Sequence, residues 1–113
     1  MIKIIEYKQF LDVDIRVGTI IKAEVNASLK KPSIVLLIDF GKEIGMKKSS
    51  AQLIINYNPK NIINKQVAAV VNFKPKQIGN LLSEVLVLGF PDKNEEPILF
   101  SPDKMVKNGA RLF

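Results

Sequence analysis

The run Asp14-Ile15-Arg16-Val17-Gly18-Thr19-Ile20-Ile21-Lys22-Ala23-Glu24-Val25 alternates with period two. Ile15, Val17, Thr19, Ile21, Ala23 and Val25 share one face, and Asp14, Arg16, Gly18, Ile20, Lys22 and Glu24 share the other, which predicts a long strand with one side buried. Gly18 inside it predicts a bulge or sharp coil, as when one strand bends to serve two sides of a small barrel. On the N-terminal side, Tyr7, Phe10 and Leu11 have helical spacing and predict a short helix or turn leading into the strand.

Downstream, Asn26 to Ser33 reads as a loop, and Ile34 to Phe40 as an apolar second strand. Gly41 and Gly45 bracket a turn, and Lys47 to Ile55 is the expected third strand. Asn58 before Pro59 pairs an N-cap with proline at the first helical position, so a short helix is expected over Pro59 to Ile63. Gln66 to Asn72 is the fourth strand and Phe73 to Leu82, with Pro75 and Gly79, a loop. Ser83 to Leu88 is the fifth strand, and Ile98 to Phe100 a short sixth before a tail that turns at Pro102 and Gly109. The expected fold is therefore all-β: an OB-fold five-stranded barrel with a short helix between strands three and four, plus N- and C-terminal extensions, in one domain over residues 1–113.

Composition limits the chemistry. Apolar residues make up 47% of the 113 and charged residues 25%, the balance of a folded globular chain. The longest apolar runs, Ile34 to Ile38 and Val67 to Val71, fall far short of the roughly 20 residues a membrane span needs, and the opening MIKIIEYKQF does not read as a signal peptide. No membrane partner is expected, and the chain reads as cytoplasmic. There is no Cys and no His, so the usual zinc sites, thiol nucleophiles and imidazole bases are excluded. No GxSxG or HExxH pattern occurs, and neither a Ser–Lys nor a paired-carboxylate constellation is expected. GxxxxGK[ST] is also absent, so any holding of a ligand is expected to be passive. A binding module without catalytic residues, metal or cofactor is the expectation.

The formal charge of +6 is unevenly spread. Lys30, Lys31, Lys42, Lys47, Lys48, Lys60, Lys65, Lys74 and Lys76 face only Asp39 and Glu43 within one central segment, a surplus of seven, while the rest of the chain is nearly neutral. Such a segment attracts phosphate backbones or acidic peptides; solvated lysines that discourage aggregation explain it equally well.

Asp14-Ile15-Arg16-Val17-Gly18-Thr19-Ile20, with Asn72-Phe73-Lys74-Pro75 and Ser83-Glu84, resembles the tRNA-binding domain family. The runs Asp39 to Gly45, Lys47 to Gln52, Gln77-Ile78-Gly79 and Ser83 to Val87 are similar to its protein-export chaperone branch, and the likeness extends from about Phe10 to the C-terminus. Dedicated tRNA binders of the family carry Gly-Met where Val85-Leu86 stand, and an Asn-Ala-Asp-Lys-Leu type loop where Lys30-Lys31-Pro32-Ser33 stand. The resemblance implies an OB-fold homodimer that binds unfolded or preprotein polypeptide, with tRNA the alternative partner.

It also implies that Lys47, Ser49, Ser50 and Gln52 face the ligand; otherwise the hydroxyls serve turn backbone and the lysines are solvated. Phe73 and Ile78 are expected to form an apolar rim flanked by Lys74 and Lys76, which would suit a mixed peptide or a stacked base. Alternatively, Phe73 caps the core. Asn72, Ser83 and Glu84 complete the candidate set with structural roles as the competing reading, Glu84 pairing with a lysine. Arg16 is expected to support loops. Ile2, Ile4, Ile5, Leu112 and Phe113 are apolar ends that a twofold dimer would bury.

Overall fold

The computed structural model describes residues 1–113. Helix α1 (Tyr7–Leu11) leads into strand β1 (Ile15–Asn26), and β2 (Ser33–Asp39) follows. Helix α2 (Gly41–Ile44) and β3 (Met46–Ala51) come next, then α3 (Pro59–Ile62) and β4 (Gln66–Val70). Five short strands complete the chain: β5 (Lys76–Ile78), β6 (Leu81–Ser83), β7 (Leu86–Val87), β8 (Gly89–Pro91) and β9 (Pro97–Leu99). The main sheet is antiparallel, in the order β3-β2-β1-β4-β7, and it curls into an OB-type barrel with α3 between its third and fourth strands.

β1 serves two neighbours, as its length requires. Ile15 to Thr19 pairs with β4, and Thr19 to Asn26 with β2. The ladder runs from Ile20↔Ile38 directly to Lys22↔Leu37, so Ile21 is one residue too many. That bulge exchanges the faces. Gly18 and Ile20 are buried before it, whereas Ala23 packs on the core after it and Val25 is half exposed. The expected single buried face of Ile15, Val17, Thr19, Ile21, Ala23 and Val25 is thus corrected, and the bulge lies at Ile21 rather than at Gly18. Gly18 is required by close approach instead. A Cβ there would sit 2.5 Å from Ile38 Cγ2 and 2.8 Å from Phe40 Cδ1.

The core gathers Ile20, Ile34, Leu36, Ile38, Phe40, Leu53, Ile62 and Val67, all at most 3% exposed. Ile62 enters it from α3, whose start is held as expected: Asn58 Oδ1 accepts from the Lys60 and Asn61 amides at 3.0 and 3.2 Å. The turn bracketed by Gly41 and Gly45 is tightened into α2, with positive φ at both glycines. β3 stops at Ala51, short of Ile55, because the chain turns inward to bury Leu53.

The expected loop from Phe73 to Leu82 holds a hairpin, β5–β6, turning through Gly79 and Asn80. The expected fifth strand, Ser83 to Leu88, is divided: Ser83 ends β6, and only Leu86–Val87 pairs with β4. β9 pairs with β8, a strand not foreseen.

The first half of β1 has no β2 partner, and the C-terminal segment takes that edge. The Val17 amide donates to Ala110, the Gly109 amide to Val17 and the Leu112 amide to Ile15, at 2.8 to 3.0 Å. Buried Gln66 braces the segment, its amide donating to the Val106 carbonyl at 2.6 Å and accepting from the Val106 amide at 2.9 Å. Arg16 bonds Asp14 at 2.6 Å, the Gly109 carbonyl at 3.0 Å and Glu43 at 3.4 Å, tying β1 to the C-terminal turn and α2. That guanidinium, with Arg111 nearby, holds the Asp14 carboxyl below the usual carboxylate range. No helix is long and apolar enough to cross a membrane.

Candidate functional site

β3 lies opposite residues 83–86 without forming a regular ladder with them, and side chains serve the backbone groups left over. The Glu84 amide donates to the Lys48 carbonyl at 2.8 Å, and Glu84 Oε1 accepts from the Lys48 amide at 3.0 Å. Ser83 Oγ accepts from the Ser50 amide at 3.0 Å, and Ser49 Oγ donates to the Val85 carbonyl at 3.1 Å. This seam closes the barrel.

Outside the seam lies a cleft of about 350 Å³. β3 contributes Ser50; the run after β4 contributes Phe73, Lys74, Lys76 and Ile78; and the seam contributes Ser83, Glu84, Val85 and Leu86. Seven of the eleven expected site residues therefore meet in one place. Phe73 is 53% exposed, which makes it a rim residue and not a cap on the core. Leu86, also half exposed, faces the same space; it and Val85, which stand where dedicated tRNA binders carry Gly-Met, are not among the site residues expected from sequence. Lys74 and Lys76 are exposed and lie within 4 Å of no carboxylate. Glu84, the one acidic group in the cleft, is engaged by the Lys48 amide and lies 4.0 Å from Lys47 Nζ.

The other four are not brought into this cleft. Strand alternation sends Lys47 and Ser49 to the inner face, opposite the buried Ile38 and Leu36, while Ser50 points outward. Ser49 is 1% exposed and belongs to the seam. Gln52 lies beyond the end of β3, at an adjoining hollow shared with Leu86 and Pro97. Asn72 holds the entry to β1, accepting from the Asp14 amide at 2.9 Å and donating to the Asp12 carbonyl at 2.8 Å.

Two Ser-x-x-Lys spacings do occur, at Ser28–Lys31 and Ser101–Lys104, and neither serine bonds its lysine. Ser28 Oγ donates to Asn26 Oδ1 at 2.6 Å, and Ser101 Oγ is buried without a hydrogen-bond partner. No group of three or more acidic side chains is placed to hold a metal ion.

The family model described as "Putative tRNA binding domain" matches residues 15–111, nearly the whole barrel with its C-terminal segment. The chain belongs to the tRNA-binding domain family. Within that family, the fold superposes on the crystal structure of the chaperone CsaA from Bacillus anthracis with a TM-score of 0.90 and 42% identity, over 98% of this chain and 100% of that one. CsaA from Picrophilus torridus gives 0.89 and 44%, over 97% and 100%. The likeness to chaperones expected from sequence is met by both. A methionine–tRNA ligase of Pyrococcus horikoshii is 34% identical over 96% of this tRNA-binding-domain chain, which spans only 14% of the ligase.

Proposed function

We propose that this protein is a CsaA-like chaperone, a binding protein and not an enzyme, which holds unfolded or preprotein polypeptide in the cleft beside Phe73. Support comes chiefly from the exposed aromatic: a half-bare phenylalanine next to Ile78 and Leu86 has apolar surface to cover, and an unfolded chain supplies it. Identities of 42% and 44% to two CsaA chains, against 34% to the ligase, favour the same reading. Since preproteins are unfolded before export, we place this activity in the cytoplasm.

The second reading is tRNA binding through lysine contacts with phosphates, favoured by the family match and by the surplus of seven charges between Lys30 and Lys76. Salt separates the two. Four phosphate contacts would weaken tRNA binding about 100-fold over a fourfold rise in salt, whereas cleft-driven polypeptide binding should change less than about tenfold. Affinities for an unfolded preprotein and for total tRNA, each measured at two salt concentrations, test this; saturable tRNA binding with no polypeptide binding would reverse the assignment.

We also propose a homodimer. Ile2 and Ile4 are over 90% exposed and Phe113 fully so. Near the C-terminus, Ile15, Val17, Val106 and Leu112 line an apolar hollow of about 250 Å³. Twofold pairing would cover these ends together. Light scattering at micromolar concentration should return twice the chain mass of 12.7 kDa; a mass near 12.7 kDa alone would end the dimer reading.

A further inference from the structure

We infer that the cleft selects extended segments in which an acidic residue stands two positions from a large apolar one, an inference that rests on the polypeptide reading above. At about 350 Å³ the space lies near the lower end for ligand clefts, and it admits side chains of an extended chain rather than a folded surface. Phe73, Ile78, Val85 and Leu86 give it an apolar lining for one large side chain.

Charge then decides what flanks that side chain. Lys74 and Lys76 are exposed and unpaired, while Glu84 is taken up by the Lys48 amide at 3.0 Å and faces Lys47 at 4.0 Å. An incoming ligand therefore meets two free ammonium groups and one carboxylate already in use. A basic flank would be repelled; an acidic flank finds partners.

Spacing follows from β5. Lys76 and Ile78 line the cleft and Gln77 does not, as expected of residues on one face of a strand. An extended ligand also repeats its facing side chains every second residue. Acid and apolar groups two positions apart thus meet Lys76 and Ile78 together, and Lys74 lies further along the same rim.

The test is fluorescence anisotropy with short peptides that share a central phenylalanine and carry glutamate, serine or lysine two positions away on each side, and with a fourth in which the glutamates adjoin the phenylalanine. The full chain and a Lys74→Glu/Lys76→Glu variant are compared, along with binding of an unfolded preprotein and of a single-stranded RNA oligonucleotide. Exposed charge pairs are individually weak, so at low salt the glutamate peptide should bind about tenfold tighter than the lysine peptide. This order should reverse in the double variant, and the adjoining-glutamate peptide should lose most of the advantage. Equal affinities for all peptides would overturn the selectivity and leave the polypeptide reading intact. Failure of every peptide and of the preprotein would remove that reading as well. RNA binding stronger than any peptide, lost in the double variant, would assign the two lysines to nucleic acid and overturn the inference.

Discussion

Phe40→Ala is expected to lower stability by about 4 kcal/mol, within the range for truncating a fully buried aromatic, and to lower Tm by roughly 15 °C. Phe40 has no exposed surface and stands where β2 ends, against Gly18 on the neighbouring strand. The same contact makes a second substitution informative. Gly18→Ala alone places a methyl 2.5 Å from Ile38 Cγ2 and 2.8 Å from the Phe40 ring, and such overpacking should destabilise by about 1 to 3 kcal/mol. In the Phe40→Ala background the ring is gone and the methyl fills part of the void, so the double variant should be more stable than the sum of the singles by about 1 kcal/mol or more. Denaturant unfolding of the four proteins measures this coupling. Additive losses would mean that Gly18 is not there to admit the ring.

This packing also explains what could be read from sequence. Period two carried β1, and Asn58-Pro59 carried the start of α3, because each depends on local backbone chemistry. The exchange of faces at Ile21 was hidden because a bulge leaves composition unchanged; it is set by the pairing of Lys22 with Leu37, far apart in the chain. A local signal for β5–β6 was present and outweighed. Gly79-Asn80 lies between Lys76-Gln77-Ile78 and Leu81-Leu82-Ser83, a two-residue hairpin pattern, while the nearby Pro75 pointed to a loop.

The candidate site was legible by residue type and less so by direction. Phe73, Lys74, Lys76 and Ile78 meet because they share one short run. Lys47 and Ser49 part from Ser50 because adjacent strand residues point to opposite faces. Val85 and Leu86 reach the cleft only through closure of the seam on β3, some 35 residues earlier in the chain, and apolar strand residues gave no hint of it. Ser83 and Glu84 do both jobs at once, lining the cleft while completing the hydrogen bonds of β3.

That double role makes Phe73 the cleaner probe of function. Its ring is 53% exposed and belongs to no core cluster, so Phe73→Ala should change stability by less than about 0.5 kcal/mol. Its effect on polypeptide binding should be large. An aromatic that anchors a ligand side chain typically contributes about 2 kcal/mol or more, so affinity for an unfolded preprotein should fall about 30-fold. Because the lost contact is apolar, the fall should be nearly the same at low and high salt, unlike any loss caused by removing Lys74 or Lys76. Titration of the folded variant at two salt concentrations, with its melting curve as control, reads both quantities. Unchanged affinity in a variant of unchanged stability would mean that the polypeptide is held elsewhere on the molecule, and that the lysines around Phe73 serve another ligand or none.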